Sequence, residues 1–324
     1  MDKPATVTVR SLVGVAQAGL AAVCLGSLLA AVRHPVRVAI HDDGTLDEAA
    51  RAHLAGNLGA ACVFVDRADA TARVGELLRA YPRCRRFRDE HLFGPKLFDV
   101  PLLAGEERAV YVDSDILWTR PCDCPGFFAG EGVPAGSFVA MRDLKESYAV
   151  SLRKWTLLRR HGVRLSSRFC AGMMSFDPVA GGYDLDYIEW LLGLDERLGL
   201  FDGFRFWAEQ TIYAALAARV GGSAWVDPAE CVVAHRREFA RTRGAAVIHF
   251  AGFSRGLLAA RRREMDLAKF PEMPTASLGT VPAPTCGLGR RLLSAVRTRL
   301  FLQESGASVD ADLSGLTPLH SIVK

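Results

Sequence analysis

Short apolar runs with strand character recur through the first third of the chain, and segments long enough for a helix separate them. The runs are Thr6–Val15, Val36–Ile40, Ala61–Val65 and Ala109–Val112. Between the second and the third, Leu46–Leu58 has the apolar spacing of a helix. Strands joined by helices imply right-handed crossovers and a mostly parallel, doubly wound α/β sheet. Ligands of such sheets bind at the carboxyl ends of the strands, so the residues that follow each strand are the first functional candidates.

The stretch Ser11–Val32 carries no charge and is long enough to cross a bilayer. Basic residues flank it at Arg10 and Arg33, as they would flank a signal anchor. Gln17 and several Gly and Ser residues interrupt the run, however, and much of the remainder is Ala. We therefore favour a buried strand followed by a helix over Ala16–Val32, with a membrane span as the alternative.

Composition restricts the class of protein. Half of the 324 residues are hydrophobic and 23% are charged, which is typical of a globular chain and excludes intrinsic disorder as its main state. The formal net charge of +4 is too small to indicate a nucleic-acid-binding protein, so no nucleic-acid partner is expected. The eight cysteines form no C-x-x-C pair and are too few for a secreted disulfide scaffold. Reduced thiols and a cytoplasmic location are the resulting expectation.

The character of the sequence changes after about Phe270. Residues 271–289 contain Pro, Thr, Ser and Gly and predict a linker or a segment that wraps around the domain. Arg290–Gln303 then predicts a basic amphipathic helix with Leu292 and Leu293 on its apolar face. This helix either packs back onto the domain or lies on anionic lipid at the inner face of a membrane. The predicted organisation is one domain over residues 1–270 and a C-terminal extension over residues 271–324.

The strongest functional signal is Asp113-Ser114-Asp115, which directly follows the apolar strand Ala109–Val112. Positions i and i+2 of an extended chain project to the same side, so both carboxylates can converge on one cation. Two carboxylates together with phosphate oxygens suit Mn²⁺ or Mg²⁺ better than zinc. A D-x-D pattern alone is weak, because Asp184/Asp186 and Asp310/Asp312 repeat it without an assigned role. The alternative is a pair of aspartates that only cap a turn.

Three further segments carry candidate site residues. The segment Ala246–Gly252 places His249 at the end of another apolar strand, where an imidazole could complete a metal site. The strand Phe169–Phe176 contains a small Ala171-Gly172 step at which the backbone can approach a ligand closely. Glu209 and Gln210 open an apolar helix. Each feature alone also has a purely structural explanation: a packed histidine, a bend that relieves crowding, and favourable charge at a helix N-terminus.

Taken in order, the segments YVDSD, FCAGMMSFDP, WAEQTIY and VIHFAG resemble the GT-A-type glycosyltransferases that use nucleotide-sugar donors. The resemblance is closest to glycosyltransferase family 8, a retaining group, and it spans Thr6–Leu257. It implies a Rossmann-like GT-A catalytic domain with a mostly parallel sheet and flanking helices. It also implies metal-dependent sugar transfer, with retention, from a nucleoside-diphosphate donor that is expected to be a UDP-sugar. The implied acceptor is a glycan, a lipid-linked molecule or a small molecule of bacterial glycan biosynthesis.

The resemblance also implies roles for individual residues. Asp113 would face the ribose of the donor and contribute to the metal, Mn²⁺ or Mg²⁺. Asp115 and His249 would bind the metal directly. Lys96, seventeen residues before Asp113, stands where the family has a basic residue that contacts the donor sugar or its phosphates. Arg255 would contact the pyrophosphate in place of the family's lysine, as a planar fork instead of a point charge.

Other positions of the resemblance concern the sugar. Ala171 and Gly172 fit the strand that lines the donor sugar, and Gln210 fits the amide on the reacting face of the sugar. Glu209 stands where the family has an Asp that binds sugar hydroxyls. Cys170 stands where the family usually has an Asn. These two departures leave the identity of the sugar open.

Two other functions remain as alternatives. A non-catalytic binder of sugar nucleotides or glycans on the same fold is motivated by the residues at Cys170 and Glu209. A metal-dependent phosphatase of the haloacid-dehalogenase type would use Asp113 as its nucleophile. Those phosphatases usually have Thr or Val two residues after the second Asp, where this chain has Leu117, and their motif follows the first strand.

Overall fold

The computed structural model describes residues 6–180, 182–203, 205–220, 223–264 and 272–293. The strands are β1 (Val7–Val13), β2 (Val36–Asp42), β3 (Cys62–Val65), β4 (Ala109–Val112), β5 (Ile116–Trp118), β6 (Cys122–Asp123), β7 (Phe138–Arg142), β8 (Phe169–Phe176), β9 (Ser223–Val226), β10 (Cys231–Val233), β11 (Val247–His249), β12 (Ala276–Ser277) and β13 (Thr280–Ala283). The helices are α1 (Ala18–Ala31), α2 (Glu48–Leu58), α3 (Arg67–Leu77), α4 (Pro82–Glu90), α5 (Gly94–Leu102), α6 (Pro125–Phe128), α7 (Leu152–Arg160), α8 (Leu185–Leu198), α9 (Ala208–Arg219) and α10 (Leu258–Glu264).

The main sheet of the described residues has the strand order β13-β9-β7-β8-β4-β1-β2-β3. The pairs β1–β2, β1–β4, β2–β3 and β7–β9 are parallel. Strand β8 runs antiparallel to both β4 and β7, and β13 runs antiparallel to β9. The prediction of a mostly parallel α/β sheet is therefore confirmed, with β8 as a reversed strand inserted into its centre.

Two hydrophobic cores lie on opposite faces of this sheet, as the alternation along β4 shows. Ala109 and Tyr111 belong to one core, whereas Val110 and Val112 belong to the other. Successive residues of a strand point to opposite faces, so a fully buried strand must be apolar throughout. Helices α5, α8 and α9 contribute to the first core, and α1 and α2 contribute to the second.

The uncharged N-terminal stretch forms strand β1 and helix α1, in agreement with the interpretation that we favoured. One side of α1 is completely buried, through residues such as Ala21, Leu25 and Leu28. These small and branched side chains pack in the same core as Val9 and Val13 of β1. Among the described residues, no helix has both the length and the apolar character that are needed to cross a membrane.

A smaller sheet with the strand order β10-β11-β5 adjoins the main one. Strand β11 runs antiparallel to β5, and the pairing sets His249 opposite Ile116. Because β4 belongs to the main sheet and β5 to the small one, the segment from Asp113 to Asp115 forms the corner between the two sheets. This corner brings the D-x-D motif and the end of β11 together.

The segment predicted as a linker or a wrapping segment takes the second form where the structure describes it. Strand β12 pairs with β6, and β13 extends the main sheet next to β9. Further along the chain, the amide of Cys286 donates to the carbonyl of Leu165 over 2.8 Å. These backbone hydrogen bonds attach residues 276–286 to strands β6 and β9 and to Leu165.

Residues 288–293 are helical, and the remainder of the predicted helix Arg290–Gln303 lies outside the described residues. The side chains do not have the expected orientation, because Arg291 is buried whereas Leu292 and Leu293 are exposed. The guanidinium of Arg291 donates to the carbonyl oxygens of Glu146 and Val150. A buried cation is tolerated when its hydrogen bonds are satisfied, and those carbonyls supply acceptors that apolar periodicity does not take into account.

Candidate metal centre

Asp113, Asp115 and His249 meet at the corner between the two sheets. Their ligand atoms all lie within 4.8 Å of one another. His249 Nε2 is 3.2 Å from Asp115 Oδ1 and 3.7 Å from Asp113 Oδ2. Asp115 and His249 are buried, whereas the side chain of Asp113 is 25% exposed. The arrangement therefore has a closed inner side and an opening at Asp113.

The backbone of strand β8 holds this corner in shape. The amide of Asp113 donates to the carbonyl of Gly172 over 2.7 Å, so the D-x-D turn is attached directly to β8. A Cβ atom at position 172 would lie 2.3 Å from His249 Cε1 and 2.8 Å from Asp113 Oδ2. Any side chain there would displace both groups, which explains the glycine at this position.

The donor set fits a divalent cation such as Mn²⁺ or Mg²⁺. Two carboxylates and one imidazole supply oxygen and nitrogen ligands, and Asp113 is the ligand that is partly exposed to solvent. Asp115 Oδ1 is buried and has no hydrogen bond of good geometry among the described residues; the nearest group is His249 Nε2, at 3.2 Å. A buried carboxylate oxygen without a hydrogen bond is costly unless a cation compensates it.

Electrostatics keep Asp115 ionised. Burial alone would raise its pKa, but His249 and Arg255 together lower the pKa of Asp115 to about 2. Arg255 Nε donates to Asp115 Oδ2 over 2.8 Å. Burial likewise lowers the pKa of His249, but Cys170 and Asp115 raise it well above its ordinary value. The corner thus attracts positive charge, and a divalent cation on Nε2 would take the place of a proton.

Lys96 connects this corner to a second buried carboxylate. Its Nζ atom lies 3.3 Å from Asp113 Oδ1 and 3.3 Å from Glu209 Oε1, and its side chain is only 3% exposed. The ammonium group also lies 4.5 Å from the centroid of the Tyr111 ring, whose hydroxyl donates to Asp113 over 2.7 Å. Burial lowers the pKa of Lys96, but Asp113 and Glu209 raise it above its ordinary value. Lys96 is therefore a buried cation shared by two carboxylates.

Glu209 lies in the first turn of α9 and has a different charge state from Asp115. Burial raises its pKa to about 7, against the opposing effect of Lys96. Its Oε1 atom is near Lys96 but has no hydrogen bond among the described residues. Glu209 therefore exchanges its proton close to neutral pH.

Gln210 is anchored at both ends of its amide. Its Oε1 accepts from the amide of Ala171 over 3.0 Å, and its Nε2 donates to the carbonyl of Ser147 over 2.7 Å. Gln210 Nε2 also donates to Asp143 Oδ2, over 3.4 Å. The structure thus places Gln210 beside the Ala171-Gly172 step, as a tie between β8 and the loop that contains Ser147.

Sequence reasoning missed Asp143 as a neighbour of this site. Burial raises the pKa of this carboxyl above its ordinary value. It directly follows strand β7, just as Asp113 directly follows β4. The strand-end rule that identified Asp113 could therefore have found Asp143 as well. The other predicted residues, from Lys96 to Arg255, all lie in or beside the corner.

Comparison with known proteins establishes the fold. No family model matches the chain. The structure of mouse xyloside xylosyltransferase 1 superposes with a TM-score of 0.52 at 11% identity, covering 76% of this chain and 97% of that protein. The chain has a GT-A fold. The GT-A fold expected from the four motifs is thereby confirmed. At 11% identity, this similarity shows a shared fold and nothing about a shared activity.

Two other similarities are weaker. The structure of the galactosyltransferase LgtC, solved with donor and acceptor sugar analogues, matches this chain with a TM-score of 0.47 at 15% identity. The match covers 80% of this chain and 96% of LgtC. That score adds nothing to the assignment of the fold. N-terminal Xaa-Pro-Lys N-methyltransferase 1 of Ailuropoda melanoleuca is 32% identical over 71 residues, which are 21% of this chain. The chain thus spans 31%, about a third, of the length of the curated relatives that it matches.

Proposed function

We propose that this protein is a metal-dependent glycosyltransferase that moves a sugar from a nucleoside-diphosphate donor to an acceptor. The observation that carries the proposal is the convergence of Asp113, Asp115 and His249 at a strand-end corner of a GT-A fold, with two further cations beside it. The donor is proposed to be a UDP-sugar, and the transfer to proceed with retention, from the family resemblance of the four motifs. The acceptor class is a glycan, a lipid-linked molecule or a small molecule.

The difficult step in sugar transfer is cleavage of the bond between the anomeric carbon and the diphosphate, because negative charge then develops on the leaving group. Mn²⁺ or Mg²⁺ held by Asp113, Asp115 and His249 would supply a Lewis acid for that charge. Arg255 reaches the same corner with a planar guanidinium that can contact two phosphate oxygens at once. No residue is then required to protonate the leaving oxygen.

The remaining residues would position the sugar. From the family resemblance, Ala171 and Gly172 are proposed to line the donor sugar, while the backbone of Gly172 holds Asp113 and His249 in place. Glu209 accepts hydrogen bonds from sugar hydroxyls in its ionised form and donates one in its protonated form. Gln210 fixes Ala171 relative to the loop of Ser147, and acts by positioning and electrostatics, not as a strong nucleophile.

We also propose a cytoplasmic location with peripheral membrane contact through the extension. The exposed side chains of Leu288, Leu292 and Leu293 support this contact, since they form an apolar surface on the described start of the helix. Replacement of all three by Gln should reduce co-sedimentation with vesicles that contain anionic lipid. Equal co-sedimentation of this variant and the wild type would contradict a membrane contact through these leucines.

A thermal-shift screen of nucleotide sugars with and without Mn²⁺ tests the proposal. Stabilisation that requires both the nucleotide sugar and the ion is the expected result, because each ligand completes the site for the other. The donor that gives the largest shift is then assayed for release of its nucleoside diphosphate across a panel of acceptors. Ion-dependent binding without turnover would support a non-catalytic binder instead. The unusual residues Cys170 and Glu209 are the reason for considering that alternative. No ion-dependent shift with any donor would contradict the metal-dependent glycosyltransferase.

A further inference from the structure

Cys170 lies beside the candidate metal centre, although the proposed sugar transfer gives it no role. Its Sγ atom is 3.3 Å from His249 Nδ1. Both side chains are buried, with exposures of 2% for Cys170 and 5% for His249. Among the described residues, Nδ1 has no other hydrogen-bond partner. The thiol therefore contacts Nδ1 of the imidazole, and the two aspartates lie near Nε2.

Strand β8 holds the ring from two positions. Cys170 and Gly172 are two residues apart on an extended strand and so face the same side. Gly172 contributes closely packed backbone, since a Cβ there would lie 2.9 Å from His249 Nδ1. Cys170 contributes the polar contact with the same nitrogen. The ring plane and its rotation are thus set by one strand.

We propose that Cys170 is a positioning residue for His249, with its sulfur accepting the Nδ1–H of the imidazole. This inference rests on the metal site of the proposed function. A neutral imidazole has one N–H, so a hydrogen bond that fixes the proton on Nδ1 leaves the lone pair of Nε2 free for a metal ion. The opposite tautomer would place an N–H on Nε2, which is 3.2 Å from Asp115 Oδ1, and would leave no ligand for the cation.

The sulfur of Cys170 would therefore act as a hydrogen-bond acceptor and not only fill space in the core. A side chain of similar volume without an acceptor, such as Val, would occupy the pocket but release the imidazole. A hydroxyl would accept the same hydrogen bond although it is smaller than a thiol. Partners on the far nitrogen of a metal-binding histidine typically contribute about 10- to 100-fold in metal affinity.

The experiment measures Mn²⁺ binding by electron paramagnetic resonance in the wild type and in C170V, C170A and C170S. Electron spin-echo modulation from the coordinated imidazole nitrogen serves as the spectroscopic readout. We expect Mn²⁺ affinity to fall about 10-fold or more in C170V and C170A, with loss of the nitrogen modulation, and to be largely restored in C170S. The matched control is C231A, which removes a buried thiol of β10, next to β11 but paired with Val247.

The outcomes separate this inference from the proposed function. If the wild type binds Mn²⁺ with nitrogen modulation and all three variants at position 170 do the same, Cys170 has no positioning role and the metal site stands. If C170V behaves like the wild type while C170S does not, the side chain acts by volume, and the inference is overturned. If the wild type shows neither binding nor nitrogen modulation, both the metal site and the role of Cys170 are refuted.

Discussion

Two buried carboxylates of the same site ionise over different pH ranges. Asp115 and Glu209 are 2% and 3% exposed, so burial opposes ionisation of both. Asp115 has its own cation, Arg255, at 2.8 Å and an imidazole at 3.2 Å. Among the residues that the structure describes, Glu209 has one close cation, Lys96, and shares it with Asp113. The pKa values of about 2 and about 7 follow from this difference in partners.

The comparison shows how one site can hold a permanent charge and a titratable one. The corner at Asp115 keeps its negative charge over the whole physiological range and suits a cation. The start of α9, where Glu209 lies, changes charge near neutral pH and suits contacts with neutral hydroxyls. Substitutions of Asp115, Lys96 and Glu209 test whether the number of cationic partners causes the difference in pKa between the two carboxyls.

The largest effect is expected from Asp115→Asn. The change removes a buried negative charge from the proposed cation site, so Mn²⁺ affinity and sugar transfer should both fall by about 1000-fold, equivalent to about 4 kcal/mol. Metal titration and release of the nucleoside diphosphate measure the two quantities. The matched control is Asp186→Asn, which alters the exposed second D-x-D motif on α8 and should leave both unchanged. Near-wild-type turnover of a folded Asp115→Asn protein would refute the metal assignment.

The largest effect on stability is expected from Lys96→Met. The variant leaves Asp113 and Glu209 close together without their shared cation, and loss of one partner of a buried ion pair typically costs about 3–5 kcal/mol. Urea unfolding in the presence of a chelator measures this loss. Adding Glu209→Gln should recover part of the stability, since it removes one of the stranded charges. Full additivity of the two changes would show that Lys96 and Glu209 do not interact.

Glu209→Gln alone tests the pH behaviour of the second carboxylate. Because folding raises the pKa of Glu209 from 4.5 to about 7, the folded state retains a proton that the unfolded state has lost. The resulting stabilisation of the folded state is fully present below pH 4.5 and is lost as the pH rises through 7. The wild type should therefore lose up to about 3 kcal/mol of unfolding free energy relative to the variant between pH 4.5 and 8.

That difference is read from urea unfolding of both proteins at several pH values. Asp115 contributes no such slope in this range, because its pKa of about 2 lies below it. A difference between wild type and variant that does not change with pH would show that Glu209 is ionised throughout. The contrast between the two carboxylates would then lose its basis.

Much of the fold was predictable because burial in a parallel sheet leaves a clear pattern. The strands β2, β3 and β4 appear in the sequence as short apolar runs that end in polar residues. The D-x-D motif was identified by the same logic, because its position after a strand is a local property. The order of the four motifs then gave the GT-A fold.

Features that depend on distant contacts were not predictable in the same way. The shared contact of Lys96 with Glu209 joins helices α5 and α9, which are more than a hundred residues apart. The inward direction of Arg291 depends on carbonyl groups of the loop at Glu146 and Val150, not on its own helix. Apolar periodicity records which residue types prefer burial, but it does not record where hydrogen-bond acceptors come to lie.

The most direct test of the account is a crystal soaked with Mn²⁺ and a UDP-sugar, examined by anomalous diffraction at the manganese edge. The predicted result is a single strong peak bonded to Asp113, Asp115 and His249, with diphosphate oxygens completing its coordination and Arg255 at the pyrophosphate. A peak at another place on the protein, or a bound donor without manganese at this corner, would contradict the account.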